Sequence, residues 1–243
     1  MSELNLHPEL NPCVTLEAFA ARAGLEQQLC ERISTLLSRG IAERGSAALV
    51  VSGGRTPAAL FQCLSRQPLD WSKVTITLAD ERWVDNQHED SNERSVCENL
   101  LQNDAAAAKF LSLYNGEQTP AAGQAALESR LAALPRRIDA VILGMGEDGH
   151  TASFFPGAQE LGEALAPEPY SACTAVTPPE APWPRMTLTL PRLLASAQIF
   201  VHLCGDAKLP VLEQALAPGE VEAMPIRSVL RQSETPVAVY WAP

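Results

Sequence analysis

A chain of 243 residues with 46% apolar side chains can bury a sizeable core, and one α/β domain over 1–243 is the first expectation. Lys and Arg total 18 against 29 Asp and Glu, a net charge of −11 that repels nucleic-acid backbones and anionic membrane surfaces, so an anionic substrate needs a local basic pocket. The opening MSELNLHPELNP has neither the basic start nor the apolar centre of a leader, and no stretch approaches a membrane span, so a cytoplasmic setting is expected.

From Leu16 to about Arg44, Leu25, Leu29, Ile33, Leu36, Leu37 and Ile41 recur at helical spacing, and Gly45 stops the run. ALVVSGG then reads as a short buried strand. TPAALFQCLSRQ reads as a helix with Thr56 as N-cap and Pro57 in its first turn. VTITLADERW repeats the strand pattern, SNERSVCENLLQ is a helix capped by Ser91 or Asn92, and AAGQAALESRLAAL precedes a third strand, IDAVILG. Between Pro156 and Pro191 the prolines predict a long ordered loop containing one extended segment, PRMTLTLP. QIFVHLCG, KLPVLEQAL and TPVAVYW supply strand, helix and strand.

Strands alternating with helices predict a three-layer α/β/α fold around a doubly wound, mostly parallel, Rossmann-like sheet. In such sheets ligands bind beyond the carboxyl ends of the strands, and the polar groups fall there: SGGRTP, DERW, GEDGH and CGDAK. Six scattered cysteines without a C-x-x-C pair read as buried free thiols. Four histidines without H-x-x-x-H or a mixed Cys cluster argue against zinc, and His7, His88 and His202 read as ordinary.

SGGRTP reads either as a tight strand-to-helix turn or as a phosphate cradle, and Arg185 and Lys208 could supply the cationic half of such a site. Asp80, Glu81 and Arg82 directly after VTITL cannot simply continue a buried strand, and the plain alternative is a solvated loop with local ion pairs. Asp148 and His150 are spaced so that the carboxylate can orient the imidazole. Gly144, Gly146 and Gly149 match the G-x-G-x-x-G spacing of a dinucleotide turn. That fingerprint needs a helix of several turns opening at the third glycine, and Pro156 and Gly157 interrupt the chain too soon.

SGGRTP, LADERWV, the DSN of HEDSN, GMGEDGHTASFFPG and PRMTLTLP, in this order over nearly the whole chain, resemble the 6-phosphogluconolactonase family. Its superfamily includes glucosamine-6-phosphate deaminase and resembles ribose-5-phosphate isomerase. The resemblance implies hydrolysis of 6-phospho-D-glucono-1,5-lactone in the oxidative pentose phosphate pathway, without metal or cofactor. Asp85 stands where many members have proline, and Glu93 where an aromatic is common; both fall on the loop near the site. In the deaminase relative an acid precedes the loop proline, whereas Phe155 holds that place here, and no G-x-S-x-G elbow surrounds Ser153.

On this basis His150 is expected to act as general base toward water, Asp148 to hold it, Arg82 to stabilise charge on the lactone oxygen and Asp80 to organise Arg82 or the loop. Gly53, Gly54, Arg55, Thr56, Arg185 and Lys208 are expected to grip the phosphate. Gly144, Gly146 and Gly149 shape the loop, with Phe154 and Phe155 packed behind. A small sugar-phosphate lactone is the expected partner, with no nucleic acid or membrane, for a monomer or weak homo-oligomer. A deaminase-like enzyme and a non-catalytic sugar-phosphate-binding regulator are the alternatives.

Overall fold

The computed structural model describes residues 11–168 and 171–243, so His7 lies outside the described residues. In chain order the elements are β1 (Val14–Ala18), α1 (Arg22–Arg44), β2 (Ala47–Val51), α2 (Ala58–Leu64), β3 (Val74–Leu78) and β4 (Asp80–Arg82). Next come α3 (Asn92–Asn99), β5 (Lys109–Leu111), α4 (Pro120–Leu131), β6 (Ala140–Leu143), α5 (Leu161–Leu165) and β7 (Cys173–Val176). The chain ends with β8 (Arg185–Leu188), α6 (Leu190–Leu194), β9 (Ile199–Cys204), α7 (Lys208–Leu216), α8 (Ile226–Leu230) and β10 (Val237–Ala242).

The main sheet is parallel throughout, in the order β1-β10-β9-β6-β2-β3-β5. Every residue of β2 and β6 is buried, as expected for central strands covered on both faces. From β2 the chain winds outward through β3 to β5, then returns to the other side of β2 and winds the opposite way through β6, β9 and β10. Parallel crossovers that wind in both directions from β2 require helices on both faces, which is the doubly wound α/β/α fold that the alternation predicts. The winding reverses between β2 and β6, and the crevice beyond their carboxyl ends opens there.

Three expectations need correction. Leu16 to Ala18 belong to β1, an edge strand paired with β10 from Val14↔Val237 to Ala18↔Trp241, and α1 begins only at Arg22. The ladder offered by β10 overrides a helical pattern that carries no capping side chain at Ala21. Thr56 does not cap α2: Pro57 occupies the cap position without a side-chain bond, and the helix is only seven residues long. The proline-rich stretch is more than a loop, for it contains α5, β7 and β8.

β7 and β8 join β4 in a second, antiparallel sheet ordered β4-β8-β7. Ala79 ties the two sheets together. Its N–H donates to the Val51 carbonyl of the main sheet (2.8 Å), and its carbonyl accepts from the Leu188 N–H of the smaller one (2.8 Å). One residue after leaving β3, the chain therefore enters a new ladder. Asp80 and Glu81 are buried there, not solvated, and Glu81 forms no ion pair among the described residues.

All six cysteines are free thiols, but only Cys30 and Cys173 are buried; the others are half-buried. Among the described residues no helix is long and apolar enough to cross a membrane, and no group of three His, Cys, Asp or Glu side chains is arranged to hold a metal ion.

Candidate active site

Two adjoining hollows, of about 480 and 550 Å³, lie beyond β2 and β6 and share Ser52, Gly53, Gly144 and Met145. One extends toward Asp80, Arg82, Asn92 and His150. The other extends toward Thr56, His202, Cys204 and Lys208. Residues from four strand ends are thus brought together at the switch point, where an open α/β sheet binds ligands.

His150 Nδ1 lies 2.6 Å from Asp148 Oδ1, and the same oxygen accepts the His150 backbone N–H at 3.1 Å. The hydrogen bond to His150 holds the Asp148 carboxyl below its ordinary range, against the opposing effect of partial burial. With the proton on Nδ1 directed at this carboxylate, Nε2 is left as the acceptor. The ring rests on Phe155, centroid to centroid 4.5 Å, and Phe154 and Phe155 are both buried, so the aromatic pair backs the loop as expected.

The glycines do not do one common job. Gly146 closes the turn by donating to the His150 carbonyl (2.8 Å), and a Cβ there would overlap the His150 ring and the Asp148 carboxylate. Gly149 has φ 78°, a left-handed conformation, and a side chain would run into Met224 at 2.9 Å. A Cβ on Gly144 would meet open space. No helix opens at Gly149: Thr151 bridges to Phe154, and the next helix starts at Leu161.

β4 supplies the opposite wall. Asp80 accepts a hydrogen bond from Ser153 Oγ at 2.6 Å, which attaches the histidine loop to the smaller sheet; of its two expected roles this is the loop-organising one. Arg82 Nη1 donates to the Asp90 carbonyl, and the Asp90 carboxylate accepts from Trp183 Nε1 at 2.9 Å. Glu81 points away into a cage of donors: the N–H groups of Arg82, Asn92 and Glu93 at 2.7–2.8 Å and Ser91 Oγ at 3.1 Å. Burial pushes its carboxyl up to about 7, although those backbone amides favour the charged form. The cage fixes the start of α3 against β4, and Ser91, not Asn92, caps that helix through the Arg94 N–H.

The expected phosphate residues are spread around the crevice. Gly53, Thr56 and Lys208 line one hollow, where Lys208 Nζ donates to the Met145 carbonyl at 2.9 Å. Gly54 and Arg55 line a further depression on the far side of Arg82. Arg185 stands on β8 opposite Arg82, 5% exposed, with its guanidinium carbon 5.7 Å from the Phe155 ring centre. Its Nε and Nη1 have no hydrogen-bond partner. Burial pulls the Arg185 pKa below its ordinary value; Asp80 opposes this and Arg82 reinforces it.

Sequence reasoning passed over Ser52, Asn92, His202 and Cys204. His202 read as an ordinary strand histidine, yet it lines the Lys208 hollow, with Nδ1 unpartnered and Nε2 3.4 Å from Cys204 Sγ. The available signal was the period of two at the end of β9, which puts residues 202 and 204 on one face beside the CGDAK turn. Of the two family departures, Asp85 is exposed in the loop and accepts from the Gln87 N–H. Glu93 is not on that loop: it is buried in the first turn of α3, bonded to Asn86 and Ser112.

Residues 20–241 match the family described as glucosamine-6-phosphate isomerases/6-phosphogluconolactonase. The chain belongs to that family. It is 44% identical over 228 residues to the 6-phosphogluconolactonase of Rhizobium meliloti (strain 1021), covering 94% of this chain and 98% of the relative. The crystal structure of a 6-phosphogluconolactonase from Shewanella baltica OS155 superposes with a TM-score of 0.92 at 48% identity, covering 95% of this chain and 98% of that one. A monomeric glucosamine-6-phosphate deaminase of the NagB superfamily shares the fold, with a TM-score of 0.76 at 19% identity over 94% of this chain and 97% of its own.

Proposed function

We propose that this member of the family hydrolyses 6-phospho-D-glucono-1,5-lactone to 6-phospho-D-gluconate, with water as the nucleophile and no metal or cofactor. The observation that carries the mechanism is the 2.6 Å contact between His150 and Asp148 in the hollow that also contains Arg82. His150 Nε2 takes a proton from water as its oxygen attacks C1. Asp148 holds the ring and stabilises the imidazolium that forms. Arg82, anchored on the Asp90 carbonyl, faces the charge that develops on the carbonyl oxygen. Collapse of the tetrahedral intermediate breaks the bond from C1 to the ring oxygen, which takes the proton back from His150 and leaves as the 5-hydroxyl.

The phosphate is assigned to the cationic side of the crevice: Gly53 and Thr56 with Lys208, Gly54 and Arg55 at the rim, and Arg185 with its two unpartnered donors. Seven residues of α2 add little dipole, so side-chain cations and loop amides carry the binding. A cytoplasmic enzyme fits the six free thiols. A monomer or weak homo-oligomer fits a surface on which Trp183 is the one large apolar side chain exposed among the described residues.

The test is acid release from freshly generated phospholactone, corrected for spontaneous opening. Wild type should accelerate it, and His150→Gln should lose about 10²- to 10⁴-fold of the enzymatic rate. Tight sugar-phosphate binding without acid release would make the protein a regulator, and ammonia release from glucosamine 6-phosphate would make it a deaminase.

A further inference from the structure

The proposed mechanism uses the DSN motif only in part. Asp90 holds Arg82 and Ser91 caps α3, whereas Asn92, 3% exposed, faces the hollow of Arg82 and His150. Asn92 Nδ2 donates to the Asp80 carbonyl at 2.9 Å. Only the NH₂ end of an amide can do this, so the bond fixes the orientation and leaves Oδ1 as an acceptor. That oxygen has no partner. It lies against Gly53, where a Cβ would overlap it, so the glycine of the SGG loop makes room for this amide. A buried acceptor without a donor is costly, and at a site wall it marks a bond that a ligand completes.

We propose that Asn92 Oδ1 accepts a hydrogen bond from one ring hydroxyl of the sugar lactone, making Asn92 a specificity-determining residue. The rigid bond to Asp80 gives the acceptor a set position relative to Arg82, so the hydroxyl is read in register with the reacting carbonyl. This rests on the lactonase reading above.

The experiment compares the parent phospholactone with its 2-deoxy, 3-deoxy and 4-deoxy analogues, for wild type and Asn92→Ala, with thermal melts to verify folding. In wild type, one analogue should lose about tenfold in kcat/KM relative to the parent. In Asn92→Ala that penalty should vanish, because the parent itself falls about tenfold while that analogue does not. Should Asn92→Ala not fold, Asn92→Ser carries the same comparison, since its shorter side chain withdraws the amide oxygen from its fixed position and keeps a good helix-start residue. All three penalties persisting unchanged in a folded variant would overturn the proposal alone. Absence of turnover by wild type on every lactone would overturn the lactonase reading and this proposal with it.

Discussion

Arg82 and Arg185 stand directly opposite one another across β4 and β8, so two guanidinium groups share one face of the smaller sheet. Like charges opposed in a ladder repel, and Arg82 already has a backbone carbonyl while Arg185 keeps two buried donors free. An anion between or beside them relieves both costs. Arg185→Ala should raise KM about 10- to 100-fold for the phosphorylated lactone and far less for gluconolactone, as read from parallel saturation curves. Equal losses on both substrates would remove Arg185 from the phosphate site.

Gly146→Ala tests the packing of the Asp148–His150 pair. The added methyl overlaps the His150 ring and the Asp148 carboxylate, so the pair must separate. kcat should drop about 10²-fold or more with the fold retained. Gly144→Ala, whose Cβ meets open space, should leave the melting temperature unchanged. If Gly146→Ala retained full kcat, the 2.6 Å contact would not matter to turnover.

His202 makes stability depend on pH. Burial, aided by Arg22, lowers its pKa from 6.5 to about 4. Between those values the unfolded chain binds a proton that the folded chain refuses, so this contribution is complete above 6.5 and is lost as pH falls through about 4. The full loss amounts to about 3 kcal/mol. Glu81, raised to about 7, works in the opposite direction from 7 down to 4.5, so the informative quantity is a difference. Urea unfolding of wild type and His202→Leu should diverge in slope between pH 6.5 and 4; parallel profiles would contradict the assignment.

Glu81→Gln should destabilise without touching the chemistry directly. The amide can accept with one oxygen only, and its NH₂ group confronts the remaining donors of the Ser91, Asn92 and Glu93 cage. A loss of about 1–3 kcal/mol in urea unfolding is expected. A smaller change would mean that the start of α3 is held mainly by packing.

The residues of the site were legible where local chemistry is self-contained. GEDGH sets carboxylate and imidazole two residues apart on a glycine turn, a spacing that allows the Asp148–His150 contact, and the folded loop makes it. The alternation of buried runs such as ALVV and AVIL with helical periods likewise predicted a doubly wound parallel sheet, because the period of hydrophobicity is a local property. Partners that lie far along the chain did not show. Asp80 organises the loop through Ser153, 73 positions later, and Arg82 meets Arg185 only because β8 pairs with β4.

β1, β5, β7 and the separation of β4 from β3 lay beyond the sequence for one physical reason. Each is short and lacks the uninterrupted apolar run that marks the equally short central strands β2 and β6, so its identity comes from hydrogen bonds that another strand offers. DER becomes a strand because β8 is there, and Leu16–Ala18 leaves the helix because β10 presents a free edge. The same long-range pairing made Glu81 a buried brace where a solvated loop had been the plain alternative, and gave Asn92 its fixed, unpaired oxygen. Local spacing determined which groups could do chemistry; the ladder between β4 and β8 decided which of them face the same crevice.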